Sequence, residues 1–182
     1  MLKIITVPNK ILTIPSKPVA KIDRQVKKLA KEMVKFLSKG DKGKPLGVGL
    51  SACQVNQPLR LFIAYSQKSR RYLTFINPKI LWFSKRKILG VPERKNPYEG
   101  CLSLPGVWGK VWRHQKIKVS YTTLKGIQVI RKFAGFLGTV IQHEYDHLNG
   151  ILFVQRVLEQ NGQLFKIKKD KGGKDRLLEI EI

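Results

Sequence analysis

From Asp23 onward, Val26, Leu29, Ala30, Met33, Phe36 and Leu37 recur at helical spacing, which predicts an amphipathic helix capped by Asp23 and ended by Gly40, with its lysines on the solvated side. Residues 1–20, apolar and broken by Pro8, Pro15 and Pro18, read as an extended arm laid on the body. The pattern then turns strand-like. Leu59 to Tyr65 and Tyr72 to Ile76 are rich in apolar, aromatic and β-branched residues across a Ser-Gln-Lys-Ser-Arg turn and predict a hairpin, with a third short strand at Ile80 to Phe83. Residues 84–98, basic and carrying Pro92 and Pro97, read as a loop. Ile117, Val119 and Tyr121 alternate, as do Ile127 and Val129, across Leu124-Lys125-Gly126, which predicts a second antiparallel pair. Helical spacing returns at Phe133, Phe136, Leu137, Val140, Ile141 and Leu148, with Gly150 as a C-terminal stop. Strands followed by one apolar helix, without βαβ alternation, give an α+β fold: antiparallel sheets packed around a central helix, plus the N-terminal helix. Beyond it, Leu164, Phe165 and Ile167 and then Leu177, Leu178, Ile180 and Ile182 flank a basic Gly-Gly segment. That pattern predicts a C-terminal β-hairpin with a basic tip, a frayed tail being the alternative. With no internal repeat and no linker, residues 1–182 read as a single domain, of which 154–182 form a basic tail.

The central helix also carries the chemistry. In Gln142-His143-Glu144-Tyr145-Asp146-His147-Leu148-Asn149-Gly150 the two histidines are four residues apart, so their imidazoles share one helix face and can aim at one point. That point reads as a metal site, edged by Glu144, whose carboxylate can take a proton from water. A helix this apolar is buried, and buried imidazoles need partners, which a metal supplies. Gly135 and Gly138 weaken the helix and point to another backbone passing close by. A catalytic metal commonly takes three protein ligands. A metzincin would place its third histidine where Phe153 stands, a carboxylate-liganded protease would use Glu159, and His114, among basic residues before a strand, reads as a surface residue. Cys101 is the better third ligand, because a thiol beside a metal loses its proton and binds strongly. Gly100, Pro105 and Gly106 bracket it tightly, whereas Cys53 reads as a small buried hydrophobe.

At 182 residues the chain can bury a core without staples. A formal charge of +24 suits life near a polyanion such as nucleic acid, or equally a uniformly lysine-rich, solvated surface. Two cysteines make no disulfide framework and point to a reducing compartment. The N-terminus has neither a signal-peptide run nor an organelle-address pattern, and no stretch approaches the roughly 20 apolar residues of a membrane span, so the expectation is a soluble, cytoplasmic protein with no membrane partner.

Three stretches stand in one order and spacing: Gly47-Val48-Gly49-Leu50-Ser51-Ala52-Cys53-Gln54, Glu99-Gly100-Cys101-Leu102-Ser103, and the segment from Gln142 to Gly150. Together they resemble the three motifs of peptide deformylase, from about the first helix to Phe153. Two departures stand out: Ser51 where alanine is usual, a small polar change expected to be tolerated, and a strand-like tail where many members end in a helix. The resemblance implies a metallohydrolase acting on a linear amide, removing the N-formyl group from the formyl-methionine of newly made polypeptides and releasing formate. It implies a divalent ion on Cys101, His143 and His147, with Glu144 as the acid-base group and the Gln54 side-chain amide and Leu102 backbone N–H as oxyanion donors. It places the substrate backbone against Val48, Gly49 and Gly100 as an added strand, and the methionine side chain among Val48, Phe136, Val140 and part of His143. Arg113 matches a position that pairs with the helix aspartate, here Asp146, and the pair is expected to orient the metal helix. Cysteine and histidine ligands suit zinc, iron, cobalt or nickel; the resemblance favours Fe2+ in the cell, with Zn2+ common in purified material. The basic stretches 166–176 and 84–95 are expected to hold the enzyme near ribosomal RNA, without DNA specificity. The host reads as bacterial-type, an organelle origin being open. The rival readings are a zinc endopeptidase with a carboxylate third ligand and a basic nucleic-acid module with a structural zinc.

Overall fold

The computed structural model describes residues 2–39, 46–90, 97–169 and 175–181. Its first helix, α1 (Arg24–Lys39), begins as the pattern predicts: Asp23 Oδ1 accepts a 2.9 Å bond from the Val26 N–H, and Val26, Ala30, Met33 and Leu37 form the buried stripe. Its expected stop at Gly40 lies outside the described residues. In chain order there follow β1 (Gly49–Ser51), β2 (Leu61–Ser66), β3 (Arg71–Phe83), β4 (Lys87–Leu89), β5 (Glu99–Cys101), β6 (Leu104–Gly109), β7 (Trp112–His114), β8 (Lys116–Thr122) and β9 (Gln128–Ala134). The chain ends with α2 (Gly135–Leu148), α3 (Phe153–Glu159), β10 (Leu164–Lys169) and β11 (Asp175–Glu179).

Five antiparallel strands pair in the order β1-β2-β3-β8-β9. Leu61, Ile63 and Ile76 pack with the α1 stripe, whereas Phe62, Ala64, Phe75, Ile117, Val119 and Phe133 pack with Val140, Ile141 and Leu148 of α2. The sheet is thus sandwiched between two helices, which is why β2 is an unbroken apolar run rather than an alternating one. Phe75 anchors the second core, with its ring centroid 4.6 Å from that of Phe62 and 4.4 Å from that of Tyr121. A second sheet, β11-β10-β6-β5, carries the Cys101 strand at one edge.

Several expectations change. The short strand at Ile80 to Phe83 is the continuation of β3, carried through an irregularity between Ile76 and Lys79 where Asn77 adopts φ 49° and bonds both polar backbone groups of Val19. Phe133 belongs to β9 and not to the helix; the chain turns at Gly135, whose φ of 58° explains that glycine better than a close backbone neighbour does. The segment read as a loop contains β4, which pairs with β7, while residues 91–96 lie outside the described residues. The tail opens with α3 and then forms the hairpin β10–β11, whose register runs from Phe165↔Glu179 to Lys169↔Asp175; its tip, 170–174, lies outside the described residues. The N-terminal arm is extended apart from a short 3-10 turn at Lys10–Leu12, and its backbone bonds to several separate segments: Ile5 N to Gln54 O (2.8 Å), Val7 N to Ser103 O (3.1 Å), Ser16 N to Leu148 O (2.9 Å) and Lys17 N to Pro58 O (2.8 Å).

Candidate metal centre

One turn of α2 separates His143 from His147, and their ring centroids lie 5.0 Å apart. Cys101 reaches the same point from the end of β5, where the β5–β6 register shifts between Gly100 and Cys101 and releases the thiol from the ladder. Its Sγ lies 3.2 Å from His147 Nε2, and one donor atom from each of the three residues falls within 4.8 Å of the others. These are the donors expected from the sequence, and a thiolate with two imidazoles suits a divalent ion of intermediate softness. His143 Nδ1 is 3.1 Å from Glu99 Oε2, an anionic acceptor that orients the ring and favours a proton at Nδ1; against burial, Cys101 and Glu99 raise this imidazole well above its usual range, so an ion would take the place of the proton at Nε2. His147 is buried, and burial followed by the nearby His143 holds it neutral, well below the usual imidazole range. The Gln54 side-chain amide and the Ser103 N–H each donate to Cys101 Sγ at 3.4 Å, which fixes where the sulfur points.

Glu144 is 3 % exposed, and burial pushes its carboxyl up to about 7, against the downward pull of His143 and of a hydrogen bond from Ser51. Ser51 Oγ lies 2.8 Å from Glu144 Oε2 and 3.0 Å from the Glu144 carbonyl, so its single proton serves one of them at a time. The serine that departs from the family pattern therefore touches the acid-base candidate. Gly49 stands where a Cβ would run into the Glu144 carboxylate and into Val140, so only glycine lets β1 lie this close to the site.

Arg113 and Asp146 meet as expected, with Nη1 donating to Oδ2 at 2.6 Å. Two partners were not foreseen. Arg113 also grips Glu99 through paired bonds of 2.9 Å, and Arg156 of α3 donates to Asp146 at 2.8 and 3.2 Å. A charged chain thus runs Arg156–Asp146–Arg113–Glu99 and ends on His143. Burial pulls the Glu99 carboxyl upward, but Arg113 and His143 outweigh it and hold it at about 2; Arg113 is correspondingly raised. Glu99 opens the cysteine motif, and its place two residues before Cys101 is the signal in the sequence that it belongs to the site. Arg156 offered none, because it rides on a helix the pattern did not reveal.

A cleft of about 500 Å3 opens onto this centre, lined by Val48, Gly49, Gly100, Leu102, Phe136 and Val140 together with Gln54, Cys101, His143 and Glu144. Every expected substrate-contacting residue is on that wall, while His147 lies behind it. Gln54, 2 % exposed, accepts the Ser51 N–H at 2.9 Å through Oε1 and turns its amide NH2 toward Cys101 and Ser103. Glu159 is bonded to Arg156 on α3 and has no place among the three donors, which removes the carboxylate-liganded protease arrangement. His114 is half-buried rather than a surface residue: its ring lies tilted against Phe83, centroids 4.7 Å apart, with Nδ1 2.6 Å from the Ser84 carbonyl. Cys53 is fully buried and its thiol is pushed up to about 12, as an inert core residue should be.

The family model described as polypeptide deformylase matches residues 1–163, which leaves the whole of the β10–β11 hairpin beyond it. Peptide deformylase 2 of Nostoc sp. is 41% identical over 122 residues, covering 63% of this chain and 64% of that protein. The match to that relative therefore spans just under two thirds of its length. The peptide deformylase of Rhodopseudomonas palustris is 35% identical over 178 residues, 94% of each chain. Among solved structures, the peptide deformylase of Thermotoga maritima aligns with a TM-score of 0.75 at 33% identity, over 86% of this chain and 97% of that one. A deformylase from Synechococcus elongatus in complex with actinonin gives 0.75 at 32% identity, over 85% and 79%. The match across residues 1–163, together with the relative matched over nearly its whole length, shows that this chain belongs to the peptide deformylase family.

Proposed function

We propose that this chain is a metal-dependent hydrolase that removes the formyl group from the N-terminal formyl-methionine of new polypeptides, giving formate and a free amine. The observation that carries the reading is the convergence of Cys101 Sγ with His143 and His147, within 4.8 Å, at the floor of a cleft that Glu144 and Gln54 also line. An ion held by the three donors supplies Lewis acidity and makes water acidic enough to react near neutral pH. Glu144, with an acidity near neutrality, takes the proton of the attacking water and returns it to the departing amine. Gln54 is fixed at its oxygen by the Ser51 N–H, so its NH2 is preorganised to donate to the formyl oxygen as negative charge develops there, with the Leu102 backbone N–H as the second donor. β1 and β5 are each the terminal strand of their sheet, so Gly49 and Gly100 offer backbone edges to an extended peptide, beside Val48, whose carbonyl is bonded to the Tyr65 N–H. Backbone pairing suits a substrate whose sequence varies. Val48, Phe136 and Val140 give the methionine side chain an apolar wall.

Supporting roles go to Arg113 and Asp146, which hold α2 and, through Glu99, His143. The ion in the cell is Fe2+, with Zn2+, Ni2+ and Co2+ able to replace it on the same donors. The working place is the cytoplasm of a bacterial-type cell, close to ribosomal RNA, with Lys85, Arg86, Lys87, Lys166 and Lys168 among the attracting charges. The deciding assay is formate release from a formyl-Met peptide with and without a chelator. Release abolished by the chelator and restored by added metal supports the assignment; no release with any divalent ion refutes it.

A further inference from the structure

A second, larger groove of about 1240 Å3 lies beside the catalytic cleft, and Phe136 lines both. The other contacts between the two are equally direct. Tyr72 Oη donates to the Gly47 carbonyl at 3.0 Å, and the Tyr65 N–H donates to the Val48 carbonyl at 2.7 Å. Tyr65 and Tyr72 belong to the wall of the larger groove, whereas Gly47 and Val48 belong to the cleft.

The charge in this groove is of one sign. Lys68, Arg71, Lys125, Arg131 and Lys132 line it, all exposed, and among the described residues no carboxylate lies on its walls. The sequence makes this systematic, since residues 46–92 and 100–143 contain no Asp or Glu at all. Among the described residues, no ion pair involves any of the five cations. A merely solvated lysine-rich surface would intersperse both signs; here the positive field is left unopposed along a concave path.

The route of the substrate leads there. The formyl end has to sit by Cys101 and Glu144, which Gly49 touches, so the rest of the peptide leaves along β1 in the direction of Gly47. That direction ends at Tyr65 and Tyr72. We propose that the groove receives the part of the nascent peptide downstream of the methionine, and that its five cations make this deformylase favour substrates with acidic side chains several residues after the formyl-methionine. This inference rests on the proposed reaction and adds to it a choice among substrates. Backbone pairing in the cleft is indifferent to sequence, whereas the groove reads charge.

The test compares kcat/KM for formyl-Met-Ala-Ala-Glu-Glu-Glu and formyl-Met-Ala-Ala-Lys-Lys-Lys, with formyl-Met-Ala as a reference too short to reach the groove. Two or three solvent-exposed ion pairs predict a preference for the acidic peptide of about five- to tenfold at low salt. The preference should fade toward unity in 1 M salt, where the screening length is about 3 Å. In the triple variant Lys68→Glu, Arg71→Glu, Arg131→Glu the order of the two peptides should invert while turnover of the dipeptide stays as it was. Equal rates for the two peptides, or a preference that survives the triple charge reversal, overturns the inference. Formate from the dipeptide without discrimination sinks the charge preference alone; no formate from the dipeptide sinks the reaction and the preference together.

Discussion

Replacing Arg113 by methionine removes the cation that bridges two buried carboxylates. Asp146 keeps Arg156, but Glu99 is left with His143 alone. A carboxyl held at about 2 against an ordinary 4.5 contributes about 3 kcal/mol near neutral pH, at about 1.4 kcal/mol per tenfold change in its constant. Breaking a buried ion pair by deleting one partner costs about 3–5 kcal/mol, so the two estimates meet, and the loss is a large share of the roughly 5–15 kcal/mol that folds a domain. The pH dependence follows from the sign. In the unaltered protein the Glu99 contribution is fully present above pH 4.5 and is lost as pH falls toward 2. In Arg113→Met burial acts unopposed by the arginine and raises that carboxyl, so protonation relieves the strain. The difference between the two proteins should therefore be greatest above about pH 5 and shrink below 4.5. Urea denaturation followed by tryptophan fluorescence, with chelator present for both proteins, measures it at pH 7 and pH 4. A loss under about 1 kcal/mol at pH 7, or one equal at both pH values, would refute the account of Arg113 as the counter-charge of the site.

Other consequences follow from the same contacts. Ser51→Ala removes a hydrogen bond that lowers the Glu144 pKa, so the acidic limb of the pH–rate profile should move upward from about 7; an unmoved limb would show that the serine does not tune the carboxyl. Gln54→Ala should lower kcat about 10²–10³-fold with metal content unchanged, measured by formate release alongside metal analysis. Glu99→Gln frees the His143 ring from its anionic acceptor and should weaken metal binding about 10–100-fold in a competitive chelator titration. Gly150→Ala forces a side chain onto a backbone at φ 73°, 2.7 Å from the Thr13 carbonyl, and should cost roughly 2–4 kcal/mol in thermal or urea denaturation.

The helices α1 and α2 could be read from the chain because each has an apolar stripe longer than two turns and a marked end, at Asp23 for one and Gly150 for the other. β8 and β9 were legible for the same reason at strand period, and β2 as an apolar, β-branched and aromatic run ending at a polar turn. The β5–β6 hairpin was not, since Gly100, Pro105, Gly106 and Gly109 erase the alternation just where the chain has to present Cys101. β4 and β7, three residues each, and α3, with only Phe153 and Val157 buried across seven, are too short to show a period. The ligands and Glu144 were visible because their chemistry is written in local spacing. The grip of Arg113 on Glu99, and of Arg156 on Asp146, joins residues 14 and 10 apart through tertiary placement, which no local pattern encodes. The one-sided charge was plain in the composition, but its concentration in a groove beside the cleft needed the sheet.

The arm at the front of the chain ties together what chemistry requires to be together. Three of its backbone bonds land on Gln54, on Ser103 two residues beyond Cys101, and on Leu148 next to His147. During synthesis the clamp therefore emerges first and what it clamps arrives later, so the centre is finished only once the chain has been made past Leu148. A protease cut within residues 5–16 should then behave like an active-site lesion, although no ligand has been touched.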